Sequence, residues 1–302
     1  MGLLITLIGL EWSGIIKANP HTFVSLGDIK SKSALLSIFG LLLIAFLISK
    51  KVKGAILVGI LSNLAVALLV GMVKFEGIIG KVPSLSSTFL KLDILGALKI
   101  NMLSVIFIFL FLDLFDTVGT LIGLAEQANF LKEGRLPRAR GALFSDALGT
   151  VTGTLLGTST ITSYIESSTG IAEGARTGIA NLVTAFMFLI SLVFYPLIKM
   201  VSTPVKVNGF NTYPIIAPSL IIVGWFMLSN IRKINWDEFS ESFPAFVTII
   251  TIPLTFSITE GISFGFITYT FLKLVKGKLK EVPFLVSLFS LLFLLRYIFL
   301  FK

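Results

Sequence analysis

Two aspartates, Asp113 and Asp116, interrupt the stretch VIFIFLFLDLFDTVGTLIG, which is otherwise apolar or small. They stand three positions apart, so in a helix they share one face. A third carboxylate, Glu166, sits in GTSTITSYIESSTGIAEGARTG, residues 157–178. An ionised aspartate at the centre of a bilayer costs about 2.5–3.5 kcal/mol on insertion scales, and such groups usually face a bundle interior or a wet cavity. Carboxylates accept hydrogen bonds or carry protons, so the chemistry on offer is recognition of N–H donors and proton transfer. Asp116 opens DTVGT, whose small residues allow close approach by a ligand or another backbone. Around Glu166, Ser159, Thr160, Thr162, Ser163, Ser167, Ser168 and Thr169 supply hydroxyls, and Gly157, Gly170 and Gly174 supply backbone freedom. Irregular backbone at membrane depth is tolerated only inside protein or along a cavity, and transporters build substrate sites from such discontinuous elements. The remaining carboxylates read more plainly. Glu11 is a charge near a span end, Asp146 in FSDALGT a helix-start or packing residue, and Glu260 an interfacial residue at a hairpin turn.

The elements that position these groups are membrane helices. The chain has 302 residues, 55% of them hydrophobic and 14% charged, with mean hydropathy +0.96. A soluble domain carries about 25% charged residues. Apolar runs recur at 2–17, 34–49, 54–73, 99–123, 140–157, 177–200, 213–230 and 243–275, the pattern of a multi-pass membrane protein. The longest run is interrupted at Pro253 and at Glu260-Gly261, which predicts a hairpin of two short helices. A last run, 284–300, either spans or lies on the surface. The segment 75–98 reads as an outside loop with an amphipathic piece. No signal peptide is expected, since the first run is followed at once by Glu11 with no basic region before it.

Basic residues cluster between the runs: Lys50, Lys51 and Lys53; Lys132, Arg135, Arg138 and Arg140; Lys273, Lys276, Lys278 and Lys280. The positive-inside rule places all three clusters in the cytoplasm, and Arg176, Arg232 and Lys233 fit the same side. The net charge of +9 is thus explained by topology, with no nucleic acid as partner. The chain has no cysteine and one histidine, His21. Disulfides and thiolate metal sites are excluded, histidine-based catalysis is unsupported, and no nucleophile–base pair suggests an enzyme. No cofactor or metal is expected.

FDTVGTLIGLAEQANFL, FSDALGT and TSYIESSTGIAEGARTG, in this order, resemble the AzgA-like adenine, guanine and hypoxanthine permeases of the nucleobase:cation symporter-2 (xanthine/uracil permease) superfamily. KANPHTFVSLGDI, KVKGAILVGI, YPIIAPSLIIVG and INWDEFSESFPAFVTIITIPLTFSITEGISFGF extend the resemblance over residues 1–280. One departure is EGARTG, where Ala175 replaces a usual glycine. The resemblance implies an all-α polytopic membrane fold of two inverted seven-segment repeats forming core and gate domains, with a short strand in a broken helix near residues 158–162. It assigns 1–74 to the first half of the gate, 75–97 to an extracellular loop, 98–206 to the second half of the core, 207–280 to the second half of the gate and 281–302 to a C-terminal hydrophobic helix. Against the fourteen-segment pattern, roughly 140 N-terminal residues have no counterpart here, so a truncated or split reading frame is expected.

The function implied is secondary active uptake of purine nucleobases across the cell membrane by proton symport, with Na⁺ the alternative coupling ion. By motif match the substrate-binding residues are Glu166 and Asp116, with Thr160 and Thr162 in the same pocket. Phe115 and Tyr164 could stack on the base, although packing accounts for them as well. Asp116, Glu166 and Asp113 are the candidates for carrying the proton, since a low-dielectric site disfavours the ionised form of a carboxylate. The partners are the purine, the coupling proton, the lipid bilayer, and either a second copy of the chain or a separately encoded N-terminal half. The rival readings are a non-transporting fragment, and a transporter of uracil, xanthine or an anion on the same fold.

Overall fold

The computed structural model of this chain describes residues 2–82, 84–132, 135–164, 166–207, 209–228, 231–232 and 234–299. Lys233, counted above among the basic residues, lies outside them, as does the end of the C-terminal run from 300. The chain divides into two units, one of Met1–Met72 with Thr203–Lys302 and one of Val73–Ser202.

The first unit begins with α1 (Gly2–Ser13), a hairpin of β1 (Ile16–Asn19) and β2 (Phe23–Leu26), then α2 (Lys32–Ser49) and α3 (Ala55–Leu69). The strands pair antiparallel, Ile16 with Leu26 and Asn19 with Phe23. After Thr203 follow β3 (Val205–Val207) and β4 (Phe210–Thr212), a second antiparallel hairpin, and then α10 (Ala217–Leu228), α11 (Phe239–Thr255), α12 (Ile258–Val275) and α13 (Phe284–Phe299). α1 packs on α10 where both backbones carry glycine. A Cβ at Gly224 would stand 2.0 Å from the Thr6 hydroxyl, and one at Gly2 2.9 Å from the Gly224 carbonyl, so only glycine permits this approach. Leu4, Ala34, Ile44, Leu64, Ile215 and Val223 form the buried apolar core of this unit.

Among the described residues α2 alone is long and apolar enough to cross a membrane, with mean hydropathy 2.2; α8 (Gly178–Ser191) and α9 (Tyr195–Val201) pass together but are bent by 91°. The single run expected at 177–200 is therefore two helices. Pro196 lies in the first turn of α9, where a proline is accommodated because its missing N–H would be unbonded anyway. The hairpin expected in 243–275 is present, but it breaks at Phe256 (φ +51) rather than at Pro253 or Glu260. Pro253 stays within the last turn of α11. Ser257 then caps α12, its hydroxyl accepting from the Glu260 amide at 3.3 Å, half of the capping box that SITE spells out. Glu260 is thus in the first turn of α12. Its carboxylate pairs with Arg296 at 2.9 Å and accepts from the Tyr297 hydroxyl. With the Thr270–Ser290 hydroxyl contact of 2.8 Å, this zips α13 antiparallel along α12.

The second unit holds α4 (Ile94–Ala97), α5 (Ile100–Gln127), α6 (Ala139–Leu156), α7 (Ser167–Ala172), α8 and α9. The segment before α4 is tied down at several points. Lys199 pairs with Glu76 at 2.6 Å, the Gly80 amide donates to Val193 at 3.0 Å, and the Leu90 amide to Leu155 at 2.9 Å. The short strand expected near 158–162 is not formed: residues 158–164 join no ladder among the described residues. The polar groups of 160–163 go instead to side chains of α5 and α6.

Candidate functional site

α5 is 28 residues long, about 42 Å at 1.5 Å per residue, and places Asp113, Phe115, Asp116, Thr117 and Thr120 along two turns. Thr117 and Thr120 are each 2% exposed. α6 ends at Gly157, whose φ of +87 turns the chain in a conformation that suits glycine. The chain then runs without regular structure to Tyr164, and Glu166 occupies the N-cap position of the six-residue α7. Gly174 has φ +102 and lets the chain leave α7, whereas Gly170 lies within that helix.

The segment 160–163 lies between α5 and α6, and its side chains alternate. Thr160 donates to Asp113 at 2.7 Å and the Thr162 hydroxyl meets that of Thr117 at 2.9 Å, both on α5. The Ile161 backbone bonds the Thr150 hydroxyl through both its carbonyl (2.7 Å) and its amide (3.3 Å), and Ser163 donates to Asp146 at 3.1 Å, both on α6. Two-residue alternation is the mark of extended backbone. The rungs match in length as well. Two residues of extended chain rise about 6.6 Å and four of helix about 6 Å, so Thr160 and Thr162 meet Asp113 and Thr117, while Ile161 and Ser163 meet Thr150 and Asp146. The Ile161 side chain packs where α6 has Gly149 and Gly153; a Cβ at Gly153 would stand 2.6 Å from it.

The sequence-predicted residues thus separate into two groups. Asp113, Thr160 and Thr162 are engaged in holding the segment, their side chains bonded to one another or to Thr117. Asp116 and Glu166 take no part in that lattice. Glu166 is exposed and Asp116 half-buried, and Asp113, Glu166 and Asp146 are near enough to act electrostatically on Asp116. Phe115 is half-buried. Tyr164 is 59% exposed, with its ring 6.4 Å from that of Phe188. Arg176 donates to the carbonyls of Ile171 and Ala175, at 2.5 and 2.7 Å, capping the end of α7. Gln127 donates to the Ser168 carbonyl at 3.1 Å and fastens α7 to α5.

Asp146 was expected as a helix-start or packing residue, and the structure corrects this. It lies inside α6, and its two oxygens accept from Thr117 at 3.0 Å and from Ser163 at 3.1 Å. Sequence reasoning also passed over Thr117 and Thr150. The signal was present: Asp113 with Thr117, and Asp146 with Thr150, are each four apart and therefore on one helix face. No group of three or more histidine, cysteine or acidic residues suited to a metal occurs among the described residues.

A family described as "Permease family" (Xan_ur_permease) matches residues 1–264. A Methanocaldococcus jannaschii protein named as a permease is 46% identical over 302 residues, covering 99% of this chain and 67% of its own length. The guanine/hypoxanthine permease PbuG of Bacillus subtilis is 44% identical, with 99% of this chain and 67% of its own length covered. The adenine permease AdeP of Escherichia coli is 39% identical, with 99% and 65% covered. The chain spans about two thirds of the length of these curated relatives.

Proposed function

This chain belongs to the permease family Xan_ur_permease, a family of membrane transport proteins, and on that premise we propose that it takes part in secondary active transport of purine nucleobases coupled to protons. Relatives bearing the names of guanine/hypoxanthine and adenine permeases support the substrate class. The observation that carries the site is the division among its carboxylates. Asp113 and Asp146 are occupied by hydroxyls of the 160–163 segment. Asp116 and Glu166 are left for a ligand. A purine presents ring N–H donors, and a carboxylate is an acceptor for them. Glu166 contacts the base directly. Asp116, on the neighbouring helix, contacts the base or carries the coupling proton. Thr160 and Thr162 shape the pocket through backbone rather than hydroxyl, since their hydroxyls are engaged. Tyr164 and Phe115 flank it. In this reading the second unit is the core half that binds substrate, the first unit belongs to the gate, and alternating access arises as one moves against the other. Two carboxylates disfavour an inorganic anion as substrate.

Uptake of labelled adenine, guanine and hypoxanthine by the membrane-inserted protein tests this. Glu166→Gln and Asp116→Asn each abolish uptake while leaving insertion intact, and unlabelled purines compete where uracil does not. Normal uptake in both variants refutes the assignment.

A second reading, that the chain works only with a further segment or subunit, is favoured by one observation. No described residue of α8 is buried, and Leu182 is 72% exposed. An apolar helix with no buried residue among those described is a surface for packing.

A further inference from the structure

We propose that Asp146 is the positioning residue of the substrate segment, the side chain that fixes where the chain enters Glu166. The inference rests on the reading of Glu166 as the substrate contact. An ionised carboxylate only accepts hydrogen bonds, so the direction of every proton around Asp146 is determined. Thr117 donates to one oxygen at 3.0 Å and Ser163 to the other at 3.1 Å. The Thr117 proton being used, its 2.9 Å contact with Thr162 must have Thr162 as donor. The chain Thr162 to Thr117 to Asp146 is therefore polarised toward the carboxylate, each bond strengthening the next. Thr117 is 2% exposed, so water does not compete for it. One side chain of α6 thus secures α5, through Thr117, and the substrate segment twice, directly at Ser163 and indirectly at Thr162.

Asp113 does less. It receives the Thr160 proton at 2.7 Å, six residues before Glu166. Thr150 donates to the Ile161 carbonyl at 2.7 Å, so neither its proton nor that of Thr160 serves their 3.2 Å contact, which is proximity alone. Ser163 is three residues from Glu166 and is the last point at which side chains of α6 hold the segment. Losing the bond there frees Glu166 in a way that losing Thr160 does not.

The chain has no cysteine, so an introduced thiol reports without background. Ser168 lies just beyond Glu166 on α7, is 6% exposed, and its hydroxyl has no hydrogen-bond partner. Ser168→Cys is therefore a nearly isosteric probe outside the lattice. In the membrane-inserted protein, Asp146→Ala is expected to raise maleimide labelling of that thiol about tenfold and the purine KM about tenfold, with maximal uptake rate changed less than about threefold, as befits loss of a hydrogen bond to an ionised group. Asp146→Asn, which can still accept one hydroxyl and donate to the other, restores both to within about threefold of the parent. Ser163→Ala reproduces the labelling change, and combining it with Asp146→Ala adds little, because the Ser163 bond is already lost in Asp146→Ala. Labelling in Asp146→Ala equal to that of the parent overturns the proposal, as does an Asn variant no better than Ala. If Asp146→Ala fails to insert, Ser163→Ala and Asp146→Asn decide by the same labelling. Absence of purine uptake in the parent itself is the outcome of the second reading and leaves the labelling comparison to decide, since labelling is scored without substrate.

Discussion

At the scale of single residues, four carboxylates close together differ in whether a hydroxyl reaches them. Asp113 and Asp146 meet threonine or serine; Asp116, only three positions from Asp113, does not. Glycine shows the same dependence on place. Gly157 has φ +87, and a Cβ there would stand 2.3 Å from the Thr88 side chain. Gly157→Ala is expected to destabilise the protein by about 1–3 kcal/mol through left-handed backbone and overlap. Gly170→Ala, inside α7 with its nearest neighbour at 3.9 Å, should be neutral or slightly stabilising. Thermal unfolding of both variants in detergent checks the contrast. Both glycines were visible in the sequence, but only the backbone angle distinguishes the one that cannot change.

At the scale of elements, helix ends are secured by side chains that the hydrophobic pattern does not reveal. Glu238 caps α11, accepting from the Ser240 hydroxyl at 2.7 Å and pairing with Lys276 at the end of α12. The Lys276 bond first, and the Ser240 bonds after it, hold the Glu238 carboxyl at about 2, below the ordinary 4.5. A carboxyl depressed on folding adds stability that is fully present above pH 4.5 and is lost as the pH falls toward 2. Melting temperature in detergent should therefore fall across that window more steeply for the parent than for Glu238→Gln. Beside this pair, Lys273 is held by Glu241 at 2.8 Å and Glu281 at 3.1 Å. The basic cluster read from the sequence as a topology signal is, at these positions, also a set of ion pairs joining α12 to its neighbours. Solvated charge and paired charge look alike in a sequence, because the partner lies in another element.

At the scale of the whole molecule, the two units differ in how they are held. The first has a buried apolar core and helices packed through glycine. In the second, the groups buried near the site are largely small or polar, Thr117, Thr120, Ala125, Ala128 and Ser168 among them, while α8 has none of its described residues buried. If a further segment is needed to cover those faces, this chain expressed alone should insert yet show no saturable purine uptake, and co-expression with the part of a relative such as PbuG that this chain does not match should restore it. Robust uptake by the chain alone would sink the second reading.

Apolar runs and their lengths determined the helices, since periodicity and transfer free energy are local properties of a sequence. The motifs around Asp116 and Glu166 likewise identified the family, and their carboxylates stood out because charge in an apolar run is costly. Tertiary structure decided which carboxylate meets which hydroxyl. Thr160 and Asp113 are 47 positions apart and Thr117 and Asp146 are 29 apart, and no local pattern couples such distances. It also decided that residues 160–163 bond side chains of α5 and α6 rather than join a strand, and that the α11–α12 break falls at Phe256 rather than at Pro253. In each case the competing conformations satisfy the same local preferences, and the choice is made by which partner the packed helices bring within hydrogen-bonding distance.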